Sequence, residues 1–351
     1  MIAPITHILA LTTLVRKRML PVNGRIIARV GQKVTPTDVV GDALIGRKYV
    51  IVDFAQGLHL PLKKAAAFLK VKKGQKVARK EVIAETTSIF PRTVQSPADG
   101  RVVAIGGGKL VLETGGSMFE LTAGIPGVVS EIIADRGVVI RATGAIVQGA
   151  YGNGRVETGV MVSMIEKPDD VFSNTNLDVS LRGSIILAGH VNNPAVIKSA
   201  AELPLRGLIL SSISPAVLSA VAQAPFPILV TEGFGQRPMN LSAFKLLTTN
   251  IKRDVTLNAE FYDRQQGSRP EIFIQLPVTQ DPPEPRDVET FAPGQIVRIC
   301  YLSRPSVVGT VVQLRPGLST LSNGLNALTA EVRLESGEQM LVPLTNLEVL
   351  G

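Results

Sequence analysis

Cysteine, histidine and tryptophan are scarce in this 351-residue sequence, and the first two scarcities exclude most metal sites. Cys300 is the one cysteine, so the chain has no internal disulfide and no cysteine-based zinc site. The histidines, His7, His59 and His190, lie too far apart for a His-x-x-x-His metal motif. We therefore expect no metal site.

A long apolar run is also missing. Residues 2–15 are rich in apolar side chains, but polar residues interrupt them, and a membrane-spanning helix needs roughly 20 residues. Arg16, Lys17 and Arg18 follow this stretch, whereas a secretory signal places its basic residues first. We expect a cytoplasmic protein without a transmembrane segment. Its N-terminal segment, residues 1–22, is expected to pack on the body or to lie on a surface, and peripheral contact with a membrane stays open.

The overall composition predicts short strands. Hydrophobic residues make up 45% and charged residues 19% of the chain, a balance that excludes long disorder as the dominant state. With 32 glycines, 23 prolines and 4% aromatic residues, the sequence favours many short strands joined by tight turns. We predict a mixed, mainly β protein of two or more domains.

Positive charge is concentrated in the front of the chain. Residues 1–100 hold 17 basic and 6 acidic residues, and the remaining 251 hold 20 and 23. Residues 63–80 contain no acidic residue and eight candidate partner-binding residues: Lys63, Lys64, Lys70, Lys72, Lys73, Lys76, Arg79 and Lys80. This pattern predicts an acidic partner, either a protein assembly, a nucleic acid or an anionic membrane. The alternative is a solvated face that only keeps the protein soluble.

Two short repeats stand inside residues 23–120. Gly31-Gln32-Lys33-Val34 recurs as Gly74-Gln75-Lys76-Val77, and Asn23-Gly24-Arg25 is matched by Asp99-Gly100-Arg101. Each copy predicts a turn that leads one strand into the next. We expect the two related halves to join in one small β-domain, because each is too small to close a core alone.

The second repeat copy resembles a barrel-sandwich hybrid, also called a single hybrid motif. The resemblance covers residues 71–112 and includes Ser96-Pro97-Ala98-Asp99-Gly100. This is the fold of lipoyl and biotin carrier domains, and it occurs unmodified in the C subunit of the Rnf electron-transport complex and in RNA polymerase insertions. In these carriers, the lysine that becomes acylated lies at the tip of the hairpin before the Ser-Pro-x-x-Gly turn. Residues 87–92 contain no lysine, and Lys109 lies beyond the turn, so the resemblance implies an unmodified docking module without a cofactor.

A β module is predicted for residues 121–180. Its glycine-rich stretch, residues 148–155, leads into a predicted strand rather than a helix. A phosphate-binding loop should open a helix, so a bulged turn is favoured.

Residues 181–260 predict a small parallel α/β (Rossmann-like) unit. Predicted strands at 184–188, 208–210 and 227–230 alternate with helices that Asn193, Ser214 and Asn240 would cap. Residues 255–257 are predicted as a fourth strand of this set.

The loops after these strands form the candidate ligand-binding site, because ligands bind beyond the carboxyl ends of parallel strands and helix N-termini favour anions. The candidate residues are His190, Asn192, Asn193, Ser211, Ser212, Thr231, Glu232, Gly233, Gly235 and Arg237. The alternative is ordinary turn and capping chemistry. Dinucleotide and P-loop motifs are missing from the sequence, and His190 with Glu232 is too small a set to indicate catalysis.

A strand and a proline-rich linker are predicted for residues 261–293, and a small barrel for residues 294–351. The barrel pattern is similar to an SH3-like barrel, and Gly309-Thr310-Val311 is similar to KOW-type modules of ribosomal and transcription proteins. The KOW resemblance implies RNA binding. However, residues 261–351 hold 7 basic and 10 acidic residues, whereas nucleic-acid modules present a basic face, so a protein-binding or packing barrel is favoured.

The order of these units is similar to that of an uncharacterised bacterial multidomain family, which implies no activity. Our leading hypothesis is a non-catalytic adaptor or structural subunit that docks on a larger assembly through the basic N-terminal region. One alternative is a nucleic-acid-associated protein of the transcription or translation type. The other is a sensor or enzyme that binds a small anionic ligand at the α/β unit.

Overall fold

The computed structural model describes residues 2–88, 90–174, 177–263, 268–278, 280, 282–286, 289–300 and 307–351. The protein is mainly β, as predicted: 47% of it is strand, arranged in several sheets, and 14% is helix. Over the described residues none of the sheets closes into a barrel. Within the same ranges, every helix is too short or too polar to cross a membrane.

The strands of the described residues are short, apart from four of 9 to 14 residues. In chain order they are β1 (Ile2–Ala3), β2 (Ile5–Thr6), β3 (Ile8–Met19), β4 (Arg25–Ile26), β5 (Lys33–Val34), β6 (Val39–Ile45), β7 (Lys48–Asp53), β8 (Lys76–Val77), β9 (Val82–Glu85), β10 (Thr93–Gln95), β11 (Gly100–Gly106), β12 (Lys109–Thr114), β13 (Ser117–Thr122), β14 (Gly127–Ile133), β15 (Gly137–Gln148), β16 (Tyr151–Gly152), β17 (Val156–Ser163), β18 (Ser184–Ala188), β19 (Gly207–Leu210), β20 (Ile228–Val230), β21 (Asp254–Asn258), β22 (Glu271–Gln275), β23 (Glu289–Thr290), β24 (Ile296–Ile299), β25 (Val307–Thr320), β26 (Asn326–Leu334), β27 (Gln339–Pro343) and β28 (Leu347–Leu350).

The helices lie in two places along the chain. Those of the described residues are α1 (Phe54–Leu58), α2 (Leu62–Ala65), α3 (Pro194–Glu202), α4 (Leu218–Gln223) and α5 (Leu241–Thr248). The oxygen of the Asn193 side chain accepts the N–H of Ala195 and caps α3, and Asn240 caps α5 in the same way. These two predicted caps are confirmed. The predicted cap Ser214 precedes a 3-10 turn, Pro215–Val217, that leads into α4, and its side chain makes no cap bond to the described residues.

The central sheet contains eleven of the described strands. Its order is β16-β20-β19-β18-β17-β21-β22-β15-β14-β5, and β3 pairs along β15. The parallel set is β17 to β20, and β21 runs antiparallel to both of its neighbours. The prediction that residues 255–257 form the fourth parallel strand was therefore wrong. The edge beyond β20 already pairs with β16, so no further strand could join there. The predicted domain boundaries at residues 180 and 260 each fall between two strands of this one sheet.

The N-terminal segment belongs to the body. β3 pairs with β15 from Met19 opposite Gly137 to Ile8 opposite Val147. β2 pairs with β28, at the edge of the six-stranded sheet β2-β28-β24-β25-β26-β27. The expectation that this segment packs on the body is confirmed, and the segment also joins the central sheet to the C-terminal sheet.

The Gly-Gln-Lys-Val repeat forms the same turn in both copies. Gly31 has a φ of 82°, its N–H donates to Val129 O, and Val129 N–H donates back to Gln32 O. The same two bonds join Gly74, with a φ of 90°, and its following glutamine to Val102. A positive φ is the conformation that glycine adopts without a steric penalty.

A third copy of this turn lies in the C-terminal sheet. Gly294 has a φ of 88°, donates its N–H to Val311 O, and Gln295 O accepts the N–H of Val311. In all three copies the glutamine side chain accepts a backbone N–H three positions earlier. Gly294 was not predicted from the sequence as a further copy of this turn.

The strand opposite each turn also repeats. Gly100, Gly127 and Gly309 stand where a Cβ would lie 2.6, 2.5 and 2.8 Å from a carbonyl oxygen of the next strand. A β-bulge follows two residues later in each case. The structural counterpart of Gly100 is therefore Gly127. The predicted counterpart, Gly24, leads into β4, which pairs with β6 instead.

The second copy is inserted within the first. The first copy contributes β5 to the central sheet and pairs β6 with β13, whereas the second pairs β9 with β10 and lies in the four-stranded sheet β7-β12-β11-β8. The chain between β6 and β13 contains the whole second copy, which we call the inserted unit (residues 48–114). The expectation that the halves share one core was wrong, since equivalent residues pack in two separate cores: Val34, Val40 and Val129 in one, Val77, Ile83 and Val102 in the other.

Candidate functional site

The structure brings the predicted strand-end loops together. Isolated bridges join Val191 to Ile213 and Ile213 to Phe234, so the loops after β18, β19 and β20 lie side by side. His190 Nδ1 lies 2.9 Å from Ser212 Oγ in a buried contact. Burial lowers the pKa of His190, which favours its neutral form at neutral pH.

The side chains of these loops bond mainly to the protein itself. Ser212 Oγ donates to Arg237 O at 2.8 Å and accepts the N–H of the same residue at 3.0 Å. Thr231 Oγ1 donates to Leu210 O, and Asn193 is committed to its helix cap. Asn192 is exposed, and Gly233 and Gly235 adopt positive φ values of 82° and 89° in the turn after β20. Turn and capping chemistry therefore accounts for most of the predicted set.

Glu232 forms a link between two parts of the protein. Its carboxylate accepts the N–H of Asn240 at 3.1 Å and a guanidinium N–H of Arg298 at 2.5 Å. Arg298 lies on β24 and also donates to Glu348 on β28. Glu232 thus connects the α/β strand ends to the C-terminal sheet, and its negative charge disfavours an anion in the same loop.

The ionic cluster around Arg298 is nearly closed to solvent. The side chains of Arg298, Glu232 and Glu348 are 11%, 2% and 15% exposed. Burial alone would raise the pKa of Glu348, but Arg298, the hydroxyl of Thr6 and Arg269 outweigh it and hold this pKa below its usual range. Burial alone would lower the pKa of Arg298, but the carboxylates of Glu232 and Glu348 outweigh it and raise this pKa above its usual value.

Catalytic and metal chemistry find no support in the described contacts. His190 bonds to Ser212, and Glu232 bonds to Asn240 and Arg298. In the described contacts, His190 and Glu232 therefore do not form the acid–base pair considered from the sequence. Over the described ranges, histidine, cysteine and carboxylate side chains do not gather in any group of three that could hold a metal ion. Two buried polar atoms of the region, Ser211 Oγ and Asn240 Nδ2, have no hydrogen-bond partner among the described residues.

A cavity of about 1190 Å³ lies where the N-terminal segment, the central sheet and the C-terminal sheet meet. Its wall carries ion pairs between Arg16 and Glu271 at 2.6 Å and between Arg18 and Glu260 at 2.7 Å. Because these charges already pair within the wall, the cavity offers a charged ligand little net attraction. This junction was not predicted from the sequence, although Arg16 and Arg18 are two residues apart and therefore share one face of a strand.

The basic residues predicted to bind a partner all lie on the inserted unit and are exposed. Lys70 pairs with Glu85, and the other seven have no ion pair among the described residues. Lys76 lies directly opposite a further cation, Arg101, on the neighbouring strand. The nearby carboxylates Glu81 and Asp99 accept backbone N–H groups of the turns at 2.7 and 2.8 Å.

Almost the whole excess charge of the protein lies on this unit. Residues 48–114 contain twelve basic and five acidic residues, a net +7, and the rest of the chain contains 25 and 24, a net +1. The hairpin tip between β9 and β10 is also exposed and presents Phe90, which is 88% exposed. Ile89 of the same tip lies outside the described residues. The inserted unit is therefore the most strongly charged candidate surface.

Comparison with known proteins supplies no family. No protein-family model matches the chain, and a search of curated proteins found no significant match.

Proposed function

We propose that the protein is a non-catalytic docking subunit that binds an acidic partner protein through its inserted unit. The observation that carries the proposal is the charge distribution, with a net +7 on residues 48–114 and seven cations of residues 63–80 without an ion pair among the described residues. Like charges held this close repel one another, and salt relieves the repulsion only partly. An acidic partner turns this repulsion into attraction.

The finer fold assignments fit this proposal. We interpret both nested copies as barrel-sandwich hybrids and the C-terminal sheet as an SH3-like module. The inserted unit has a hairpin tip at the position where carriers hold their modified lysine, and the tip residues include none. A unit of this fold without an acylated lysine is consistent with docking. The strand-end loops carry little support for a ligand, since their side chains bond within the fold.

The test compares two variants with the same change in net charge. One replaces Lys72, Lys73 and Lys76 by glutamate, and the control replaces three exposed lysines outside the unit, Lys167, Lys198 and Lys245. Association with fluorescein-labelled poly-L-glutamate is followed by stopped-flow fluorescence at several salt concentrations. We expect the first variant to associate at least about tenfold more slowly, with a smaller effect on dissociation, and the control to behave like the wild type.

Four outcomes contradict the proposal. Equal association rates for both variants, or no binding by the wild type, leave the basic region as a solubility face. Tighter binding of a DNA duplex than of poly-L-glutamate at equal charge concentration, with a steep salt dependence, supports the nucleic-acid alternative instead. Preferential binding to phosphatidylglycerol vesicles assigns the region to a membrane surface.

A further inference from the structure

The four-stranded sheet of the inserted unit has one face that the described residues leave uncovered. Strand pairing places Lys76, Arg101, Glu113 and Tyr49 in one row across β8, β11, β12 and β7. All four side chains therefore share one face, because side chains directly opposite each other in a sheet point to the same side. The row is cationic at the β8 end and aromatic at the β7 end.

The neighbouring row of the same face is apolar. Ala104, Val111 and Ile51 lie opposite one another on β11, β12 and β7. Ile51 is 68% exposed and Tyr49 of the first row is 56% exposed, whereas the opposite face buries Leu110 and Leu112 completely. An uncovered apolar strip beside a cationic row is typical of a protein interaction surface.

From this arrangement we infer that the uncovered face binds a segment of the partner that is both acidic and apolar. Its apolar side chains would cover Tyr49 and Ile51, and its carboxylates would pair with Lys76 and Arg101. This inference rests on the proposed function, and it adds the surface and the chemistry of the bound segment.

Charge and side-chain type select this occupant. A second copy of the chain would bring the same net +7 against itself, so self-association through this face is disfavoured. Single-stranded nucleic acids bind where their bases stack on several aromatic side chains, and Tyr49 is the one aromatic residue of the two rows. An acidic protein segment with apolar residues matches both rows.

The test uses a displayed library of random dodecapeptides, selected on the full-length protein. We expect the enriched peptides to contain both carboxylate and large apolar residues. One labelled peptide is then titrated against the wild type and against a double variant, Tyr49→Ser with Ile51→Ser, which leaves the charge unchanged. The control is Val179→Ser with Leu325→Ser, two apolar residues outside the unit that are 72% and 64% exposed. Circular dichroism verifies that all variants are folded.

We expect the Tyr49 and Ile51 double variant to weaken binding by at least about tenfold and the control to leave it unchanged. Suppose that acidic peptides are enriched and bind the glutamate variant of Lys72, Lys73 and Lys76 more weakly, yet bind the Tyr49 and Ile51 double variant as tightly as the wild type. In that case this inference fails and the proposed function stands. If no peptide is enriched, or if enriched peptides lack acidic residues, both fail.

Discussion

Replacing Arg298 by methionine should destabilise the protein strongly, because it removes the cation between the buried carboxylate of Glu232 and the partly buried one of Glu348. Glu348 would keep its bonds from Thr6 and Arg269, but among the described residues Glu232 would keep only the N–H of Asn240. Breaking a buried ion pair from one side costs about 3–5 kcal/mol, since it leaves an uncompensated charge in the interior. The 2% exposure of the Glu232 side chain places the expected cost in this range.

A matched control lies in the same sheet. Arg315 pairs with Glu331, and their side chains are 50% and 20% exposed. Exposed pairs of this kind contribute about 0–1 kcal/mol, so Arg315→Met should have little effect. The chain has no tryptophan, and urea unfolding is therefore followed by far-UV circular dichroism. At an m-value of about 3 kcal/mol/M, Arg298→Met should lower the urea midpoint by about 1–2 M.

A second substitution separates loss of the pair from loss of packing. Glu232→Gln in the Arg298→Met background removes the stranded charge and should recover part of the stability. If Arg298→Met unfolds at the same midpoint as Arg315→Met, the cluster is not a stabilising link and the reasoning from burial is refuted.

Three further predictions concern acid, backbone packing and modification. The native pKa of Glu348 is lowered, so its contribution is complete above the ordinary carboxyl pKa of about 4.3 and is lost as the pH falls through the lower native value. The midpoint difference between wild type and Glu348→Gln should therefore shrink below about pH 4. Gly127→Ala places a Cβ 2.5 Å from a carbonyl oxygen and should cost about 1–3 kcal/mol, whereas Gly106→Ala meets no atom of the described residues within 4 Å and should change the midpoint little. Intact-mass spectrometry of protein from its native cells should show no lipoyl or biotinyl addition, and such a mass would contradict the unmodified-module interpretation.

Local features of the fold could be predicted from sequence because their causes lie within a few residues. The helix caps Asn193 and Asn240 follow from short polar side chains before apolar helical stretches. The cluster of Glu232, Arg298 and Glu348 has no local signature, since its members are 66 and 50 residues apart and meet only through tertiary packing. The cluster of charged side chains therefore could not be predicted from the spacing of its members in the sequence.

The nesting of the two copies shows the same limit at the level of topology. A Gly-Gln-Lys-Val turn fixes its own backbone, but it does not specify which distant strand pairs with it. The match of Gly24 with Gly100 was closer in sequence, yet the strand pairs and bulges make Gly127 the counterpart. A glycine is needed there because of a neighbouring carbonyl, and that contact exists only after the strands have paired.

The nested arrangement also places most of the excess positive charge on one unit, residues 48–114. Two short connections, Gly46-Arg47 and Gly115-Gly116, join the inserted unit to the hairpin of the outer copy, and the unit buries its own apolar core. Substitutions on its surface therefore leave the ion pairs of the body, such as Arg16 with Glu271 and Arg298 with Glu232, untouched. In the body, Arg16, Arg18 and Arg298 pair with carboxylates where the sheets meet. On the inserted unit most cations have no ion pair among the described residues, and this separation would let the proposed partner bind without disturbing the junction.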